Sequence, residues 1–325
     1  MGIRNLNSFL RKNCNNSINC IHLSKLSGKK IAVDISIYMY KFASENCLIE
    51  RMYVMLSIFR IYNIIPIFIF DGKPPTEKKE LLIKRKKNKV ESEKEYNNLQ
   101  LLLKQNTRMD NDEKQEILTT MDLLKKKFIY ITKEDIQSVK ELIRAYGLTY
   151  FDAPGEADEL CAQLVINGQV WACLSEDMDM FVYGCSTVLR YFSLINHTVV
   201  CYDVINCLNE LNLNTTEFRE ICVLSGTDYN NSENSINIYN NMQLFKTYQS
   251  STNFVDFKNF YDWILTRDKN YITNLELLQN IYRLFDLSET RETLSLFNNI
   301  QIINGPILKD VMRPILENDG FIFAN

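Results

Sequence analysis

Three short apolar runs stand out along the chain, and each one leads into acid. Lys30-Ile31-Ala32-Val33-Asp34 is the first and Ile64-Ile65-Pro66-Ile67-Phe68-Ile69-Phe70-Asp71 the second. Val170-Trp171-Ala172-Cys173-Leu174 is the third, with Glu176, Asp177 and Asp179 close behind it. Apolar runs without polar alternation suit parallel strands covered on both faces. Helical periodicity falls between them, over residues 50–62, 134–146 and 155–167. This alternation predicts an α/β fold with a mainly parallel central sheet flanked by helices. Such sheets bind ligands at the carboxyl ends of their strands, and that is where these acids fall.

Two regions break the pattern. Residues 76–128 are rich in Lys, Glu, Gln and Leu and contain no Gly or Pro. They predict two amphipathic helices joined near Asn106 to Asp112. Beyond Val200-Cys201 strand-like runs become scarce, and a mainly helical stretch follows, interrupted by Asn-rich patches at 230–241 and 298–304. The expected organisation is a segment 1–75, a helical insertion 76–128, a second segment 129–228 and a helical C-terminal subdomain 229–325.

Composition narrows the class. A chain of 325 residues suits one large α/β unit with an appendage, or two domains. Hydrophobic residues at 46% and charged residues at 24% are ordinary for a globular protein. Only 10 Gly and 6 Pro argue against collagen-like, linker-like or turn-rich all-β chains. The 9 cysteines are odd in number and form no C-x-x-C pair, which favours a reducing intracellular compartment. Two histidines make a histidine-built zinc site improbable. No signal peptide is visible, and the longest apolar stretch, Ile58 to Phe70, is broken by Arg60, Asn63 and Pro66, so no membrane association is expected. The net charge of −3, taken alone, argues against a nucleic-acid binder.

Seven carboxylates occupy special places. Asp34 and Asp71 end strands, while Glu156 and Asp158 open a helix after Ala153-Pro154-Gly155. Asp177 and Asp179 follow a strand, two apart, and Asp228 sits in Leu224-Ser225-Gly226-Thr227-Asp228-Tyr229. Singly, each reads as a solvated loop acid or a helix cap. Gathered, they would repel one another unless cations sat among them. An all-oxygen set suits Mg²⁺, with Mn²⁺ as a substitute. Two such ions about 4 Å apart can drive phosphodiester hydrolysis. The seven acids also account for more than the whole net charge of −3, so the remainder of the chain is basic.

The sequence resembles the flap-endonuclease family of structure-specific 5′ nucleases along most of its length. The resemblance rests on six blocks in the family's order: Met1-Gly2-Ile3, Ile31-Ala32-Val33-Asp34, Phe70-Asp71-Gly72-Lys73-Pro74-Pro75, Ala153-Pro154-Gly155-Glu156-Ala157-Asp158, Glu176-Asp177-Met178-Asp179 and Gly226-Thr227-Asp228-Tyr229. It implies that Asp34, Asp71 and Glu156 hold one divalent ion and Asp177, Asp179 and Asp228 a second. Asp158 would lie between them, directly or through water. It replaces a family glutamate and is shorter by one methylene.

The resemblance also places Lys78 at the family's active-site lysine and Arg85 at its catalytic arginine, seven residues later. Seven residues are about two helical turns, so both would point from one face. There they would offset charge developing on a phosphate. The bland reading is a solvated helix face, because Lys79, Lys84, Lys86, Lys87 and Lys89 crowd the same segment. Lys84-Arg85-Lys86-Lys87 also has the composition of a nuclear-localisation patch, which leaves the nucleus and a viral replication site both open. Residues 76–128 would form a helical arch, with Lys84 and Lys125-Lys126-Lys127 attracting a single strand. Tyr40 matches an aromatic near the cleaved nucleotide, with helix packing as the alternative. Gly2 and Gly226 match glycines near the substrate, with turn chemistry as the alternative.

Two departures stand out. Where the family carries a Gly-x-Gly-Pro turn between two helices, this chain has Ser235, Ile236, Asn237 and Ile238, followed by Tyr239 and Asn240 in place of basic residues. Asn tolerates a left-handed backbone better than Ser. A weaker grip on duplex DNA is expected. No sliding-clamp-binding peptide follows Phe321, and the Asn-, Ile- and Lys-rich usage fits a short, virus-encoded member. The expected activity is metal-dependent cleavage of DNA at single-strand to duplex junctions by a monomer. A catalytically silent binding protein, and a 5′ exonuclease acting on RNA or DNA, remain alternatives.

Overall fold

The computed structural model describes residues 2–105, 110–230, 237–251, 259–288 and 300–323, without the side chains of 111–113. Seven strands form one sheet: β1 (Ile18–His22), β2 (Lys30–Asp34), β3 (Ile65–Phe70), β4 (Thr149–Asp152), β5 (Ala172–Leu174), β6 (Thr187–Ser193) and β7 (Thr198–Asp203). Their spatial order is β1-β7-β6-β5-β2-β3-β4. The pairs within β6-β5-β2-β3-β4 are parallel, whereas β7 pairs antiparallel with both β6 and β1. The mainly parallel sheet expected from the apolar runs is therefore present.

Among the described residues, fourteen α-helices accompany the sheet. In the first half of the chain they are α1 (Leu6–Asn13), α2 (Ile35–Ser44), α3 (Leu48–Ile61), α4 (Lys79–Gln105), α5 (Asn111–Lys125) and α6 (Lys133–Ala145). After these come α7 (Ala157–Ile166), α8 (Asp179–Tyr183), α9 (Val204–Leu211), α10 (Thr215–Leu224), α11 (Ile238–Gln249), α12 (Phe260–Arg267) and α13 (Leu275–Phe285). A final helix spans Lys309–Asn318.

Alternating side chains of the central strands feed two separate cores. Ile31 and Val33 of β2, Phe68 and Phe70 of β3, and Ala172 and Leu174 of β5 pack with α2, α3 and α6. Ala32, Ile67, Ile69 and Cys173 point the other way, into the core built with α1, α7, α8 and the C-terminal helices. This period of two is the pleat of a strand buried on both faces. The crossovers from β2 to β3 and from β4 to β5 lie on opposite faces. They leave β2 at the point where the connections diverge, and such a point opens a crevice at the strands' carboxyl ends. The ends of β2, β3 and β5, and the loop after β4, all meet there.

The helical insertion differs from expectation in one respect. Two helices are present, but no residue of α4 is buried, so its apolar positions do not form a stripe packed on the core. Met121 and Leu124 of α5 are the buried contacts of the pair. The joint at 106–109 lies outside the described residues. All nine cysteines are free thiols. Among the described residues, no helix is long and apolar enough to cross a membrane.

Candidate active site

Each carboxylate reaches the crevice by a different local device. Asp34 is the last residue of β2 and caps α2 by position, and its Oδ2 accepts a hydrogen bond from Ser175 Oγ at 3.0 Å. Asp71 follows β3, and its Oδ1 accepts from the backbone N–H of Ala157 at 2.9 Å, which closes the first turn of α7. Glu156 is the N-cap residue of α7 and Asp158 its second residue. Acids at a helix N-terminus face the positive end of its dipole. Asp177 lies in the loop after β5, and Asp179 begins α8. Asp228 follows a left-handed turn at Gly226, where φ is +98°.

Gly72 makes one of these placements possible. Its N–H donates to Gly155 O at 2.7 Å, and a Cβ would collide with the carbonyl oxygen of Ala153. The loop carrying Asp71 and the loop leading to Glu156 therefore meet backbone to backbone, which only glycine permits.

The seven acids form one electrostatic group. One oxygen each of Asp158, Asp177 and Asp179 lies within 4.8 Å of the others. Burial pushes Asp34 up to about 8, with repulsion from Asp71 and Asp177 adding to it. Burial also raises Asp158 well above the usual carboxylate range, helped by Glu156, Asp177 and Asp34 and opposed by Lys78. Asp179 is raised in the same way, by burial, then by Asp177 and Asp158, with Asp228 contributing. Every one of the seven is thus coupled to at least one other.

Two basic residues enter this acid. Lys78 Nζ lies 2.7 Å from Glu156, and both side chains are largely buried. Burial alone would lower the Lys78 pKa, but Asp158 and Glu156 outweigh it and the net shift is upward. Arg85 Nη2 lies 2.7 Å from Asp228 Oδ2. The expected common helical face needs correction. Lys78 ends a 3₁₀ turn, Thr76–Lys78, just ahead of α4, and only Arg85 is on the helix itself. Both nonetheless reach carboxylates, because the turn redirects Lys78 toward the start of α7.

The donor set fits divalent cations on the structure's own terms. Both carboxylate oxygens of Asp179 are buried without a hydrogen-bond partner. A buried acceptor left unsatisfied costs about 1–3 kcal/mol, more when charged. A hard cation among Asp158, Asp177 and Asp179 would satisfy those lone pairs and hold all three ionised.

Four other predicted residues are placed around this cluster. A Cβ on Gly2 would lie 2.5 Å from Asp179 Oδ1 and 2.6 Å from Asp177 Oδ1. Tyr40, on α2, is 45% exposed, and Lys89 Nζ sits 4.9 Å from its ring centroid. Gly226 is buried in the turn that presents Asp228, and Lys84 is exposed on α4.

Asn237 is extended rather than left-handed, and its side chain caps α11 by accepting from Tyr239 N–H. Tyr239 packs edge-on against Phe9 of α1, so it faces inward. Ser235 and Ile236 lie outside the described residues.

Sequence reasoning missed three supports. Ser175 bridges Asp34 and the backbone N–H of Asp177. Tyr229 donates to Glu156 Oε2 at 3.1 Å while Lys78 Nζ lies over its ring. Arg190 grips the loop that carries Asp177. Ser175 adjoins one matching block and Tyr229 ends another, but nothing in the sequence pairs Arg190 with that loop.

Residues 1–92 match the XPG N-terminal domain and residues 147–228 the XPG I-region, together more than half of the chain. Flap endonuclease 1 of Drosophila mojavensis is 29% identical over 297 residues, covering 85% of this chain and 73% of the relative. The catalytic core of Rad2 in complex with DNA substrate superposes with a TM-score of 0.68 at 19% identity, covering 98% of this chain and 95% of that one. Human GEN1 in complex with Holliday junction DNA gives a TM-score of 0.61 at 17% identity, covering 98% and 73%. These two structural likenesses concern the fold. The two matched regions, the likeness to flap endonuclease 1 and the gathered acids lead to one conclusion: the chain belongs to the flap-endonuclease family of structure-specific 5′ nucleases.

Proposed function

We propose that the protein is a Mg²⁺-dependent 5′ nuclease that hydrolyses phosphodiester bonds in branched or 5′-flap DNA, in replication, repair or recombination. The observation that carries this reading is the convergence of seven coupled carboxylates with Lys78 and Arg85 at the carboxyl edge of the sheet. Segments 1–75 and 129–228 supply the nuclease core, residues 76–128 the cap over it, and residues 229–325 a DNA-binding subdomain.

Asp34, Asp71 and Glu156 would hold one ion. Asp177, Asp179 and Asp228 would hold the other, with Asp158 shared through its approach to Asp177 and Asp179. When bound, such ions supply Lewis acidity toward phosphoryl oxygens and acidify an attacking water. An all-carboxylate set favours Mg²⁺ or Mn²⁺ over softer metals.

The chain's own residues do the rest. Lys78 and Arg85 balance the acids of the cluster and present positive charge to a scissile phosphate. Gly2 leaves room beside Asp177 and Asp179 for the substrate backbone. Tyr40 offers a half-exposed ring on which a splayed base can stack. Lys84, Lys86 and Lys87 are exposed on α4 and attract the single strand.

The test is a substrate panel of labelled 5′-flap DNA, nicked duplex, single-stranded DNA and RNA, each with Mg²⁺ or EDTA. Preferential Mg²⁺-dependent cutting of the flap supports the reading. Preference for RNA, or for a plain end, would replace the substrate. No metal-dependent product on any of them would overturn it.

A further inference from the structure

The loop Glu176–Asp179 faces a mechanical problem. It holds Asp177 and Asp179 side by side, and Asp179 has no hydrogen bond on either oxygen. Like charges held this closely relax apart unless the backbone beneath them is fixed. A cation bonded directly to these carboxylates would fix them but would occupy the lone pairs a metal needs.

Arg190 fixes the loop in another way. It lies on β6 and is 6% exposed. Its Nη2 donates to the carbonyl oxygen of Glu176 at 2.8 Å and lies 3.6 Å from Glu176 Oε2. Its Nη1 donates to Met178 Sδ at 2.8 Å and to Asn7 Oδ1 at 2.9 Å. Arg190 therefore grips the residues on both sides of Asp177, and no bond from it goes to Asp177 or Asp179.

The same network anchors the N-terminus. Asn7 is on α1, five positions after the glycine that packs against Asp177 and Asp179. Asn7 Oδ1 also accepts from Tyr202 OH, and Asn7 Nδ2 donates to Tyr191 OH, each at 2.8 Å. Tyr191 N–H in turn donates to Glu176 Oε1 at 2.6 Å. Tyr191 has φ +56°, an uncommon conformation for a bulky residue, at an irregularity in β6 pairing. Local strain of this kind persists where surrounding contacts over-determine it. Here the bulge lets consecutive residues, Arg190 and Tyr191, both reach Glu176.

We propose that Arg190, held by Asn7, is a positioning residue that presets Asp177 and Asp179 for a divalent cation without neutralising them. This rests on the metal reading of the site given above. Arginine is required because its planar fork meets several acceptors at once, which a lysine ammonium on a flexible stem does not. Groups that orient metal ligands in this way typically cost about 10–100-fold in metal affinity when removed.

The experiment is calorimetric titration of DNA-free full-length protein with Mn²⁺, alongside thermal unfolding in EDTA and steady-state cleavage. Three variants are compared: Asp179→Asn, Arg190→Lys and Asn7→Ala. Asp179→Asn tests the metal reading itself and should lose the Mn²⁺ ion assigned to Asp177, Asp179 and Asp228 while keeping the one assigned to Asp34, Asp71 and Glu156. Arg190→Lys should bind Mn²⁺ at least about tenfold more weakly, with kcat lowered and KM for DNA retained. Asn7→Ala perturbs the clamp from outside and should move Mn²⁺ affinity in the same direction while remaining folded. If Asp179→Asn weakens Mn²⁺ binding but Arg190→Lys and Asn7→Ala bind as wild type does, the positioning role is wrong and the metal reading stands. If Asp179→Asn binds Mn²⁺ normally, the metal reading falls and the positioning role falls with it.

Discussion

Arg85, on the first helix of the insertion, holds Asp228 at 2.7 Å across 143 positions of sequence. Lys78 does the same to Glu156 from the preceding turn. The insertion is thus tied to the acids by the two cations proposed to act on the phosphate. Replacing Arg85 by Ala should lower kcat by about 10²–10³-fold, the usual loss for one donor aimed at transition-state charge. DNA affinity should stay nearly unchanged, since Lys84, Lys86 and Lys87 remain. Single-turnover rates against binding isotherms separate the two, and an unchanged rate would remove Arg85 from the chemistry.

The acid cluster makes metal-free protein sensitive to pH in a defined direction. Asp34 holds its proton to about pH 8 when folded but only to about pH 4 when unfolded. Between those values the folded chain binds more protons, so stability in EDTA falls as pH rises. Asp34→Asn should therefore raise the melting temperature in EDTA at pH 8, have little effect at pH 4, and abolish cleavage. A variant destabilised equally at both values would contradict the electrostatic account.

Gly2 is confined by the site it borders. It has φ +79°, and a methyl group there would press on the carboxylate oxygens of both Asp177 and Asp179. Gly2→Ala should lower the cleavage rate at saturating Mg²⁺, because the added methyl displaces both carboxylates from a backbone position that disfavours any side chain. Wild-type cleavage by this variant would show that the approach is not constrained.

The central sheet was legible because β2 and β3 are buried on both faces and so read as unbroken apolar runs. β1 was not, because it is an edge strand paired only with β7 and exposes Asn19 and Cys20. β6 and β7 mix polar and apolar residues around a tight connection and gave no run of comparable length. The acids were legible because they sit at strand ends and helix starts, where local sequence decides the geometry. The Arg190 clamp was not. It joins residues 183 positions apart through a bulge that leaves no periodic trace. Asn237 was legible as a polar turn residue, yet its extended backbone depends on the helix it caps.

The weak duplex grip expected from the sequence is tested at the α11 segment. Tyr239 packs onto Phe9 and Asn240 is exposed; the family resemblance puts basic residues at both positions. Asn240→Lys should tighten duplex binding and steepen the dependence of log affinity on log salt by about 0.9, the increment for one added phosphate contact. An unchanged slope would place the DNA elsewhere.

The central claim is that the carboxylates, with metal, cut DNA. Its most direct test is single-turnover cleavage of a labelled 5′-flap substrate by the wild-type protein and by Asp177→Ala, in Mg²⁺ and in EDTA, with binding measured in parallel. The account predicts cutting near the junction only by wild type in Mg²⁺, and retained flap binding by Asp177→Ala without cutting. Normal cutting by Asp177→Ala, or wild-type cutting in EDTA, would contradict it.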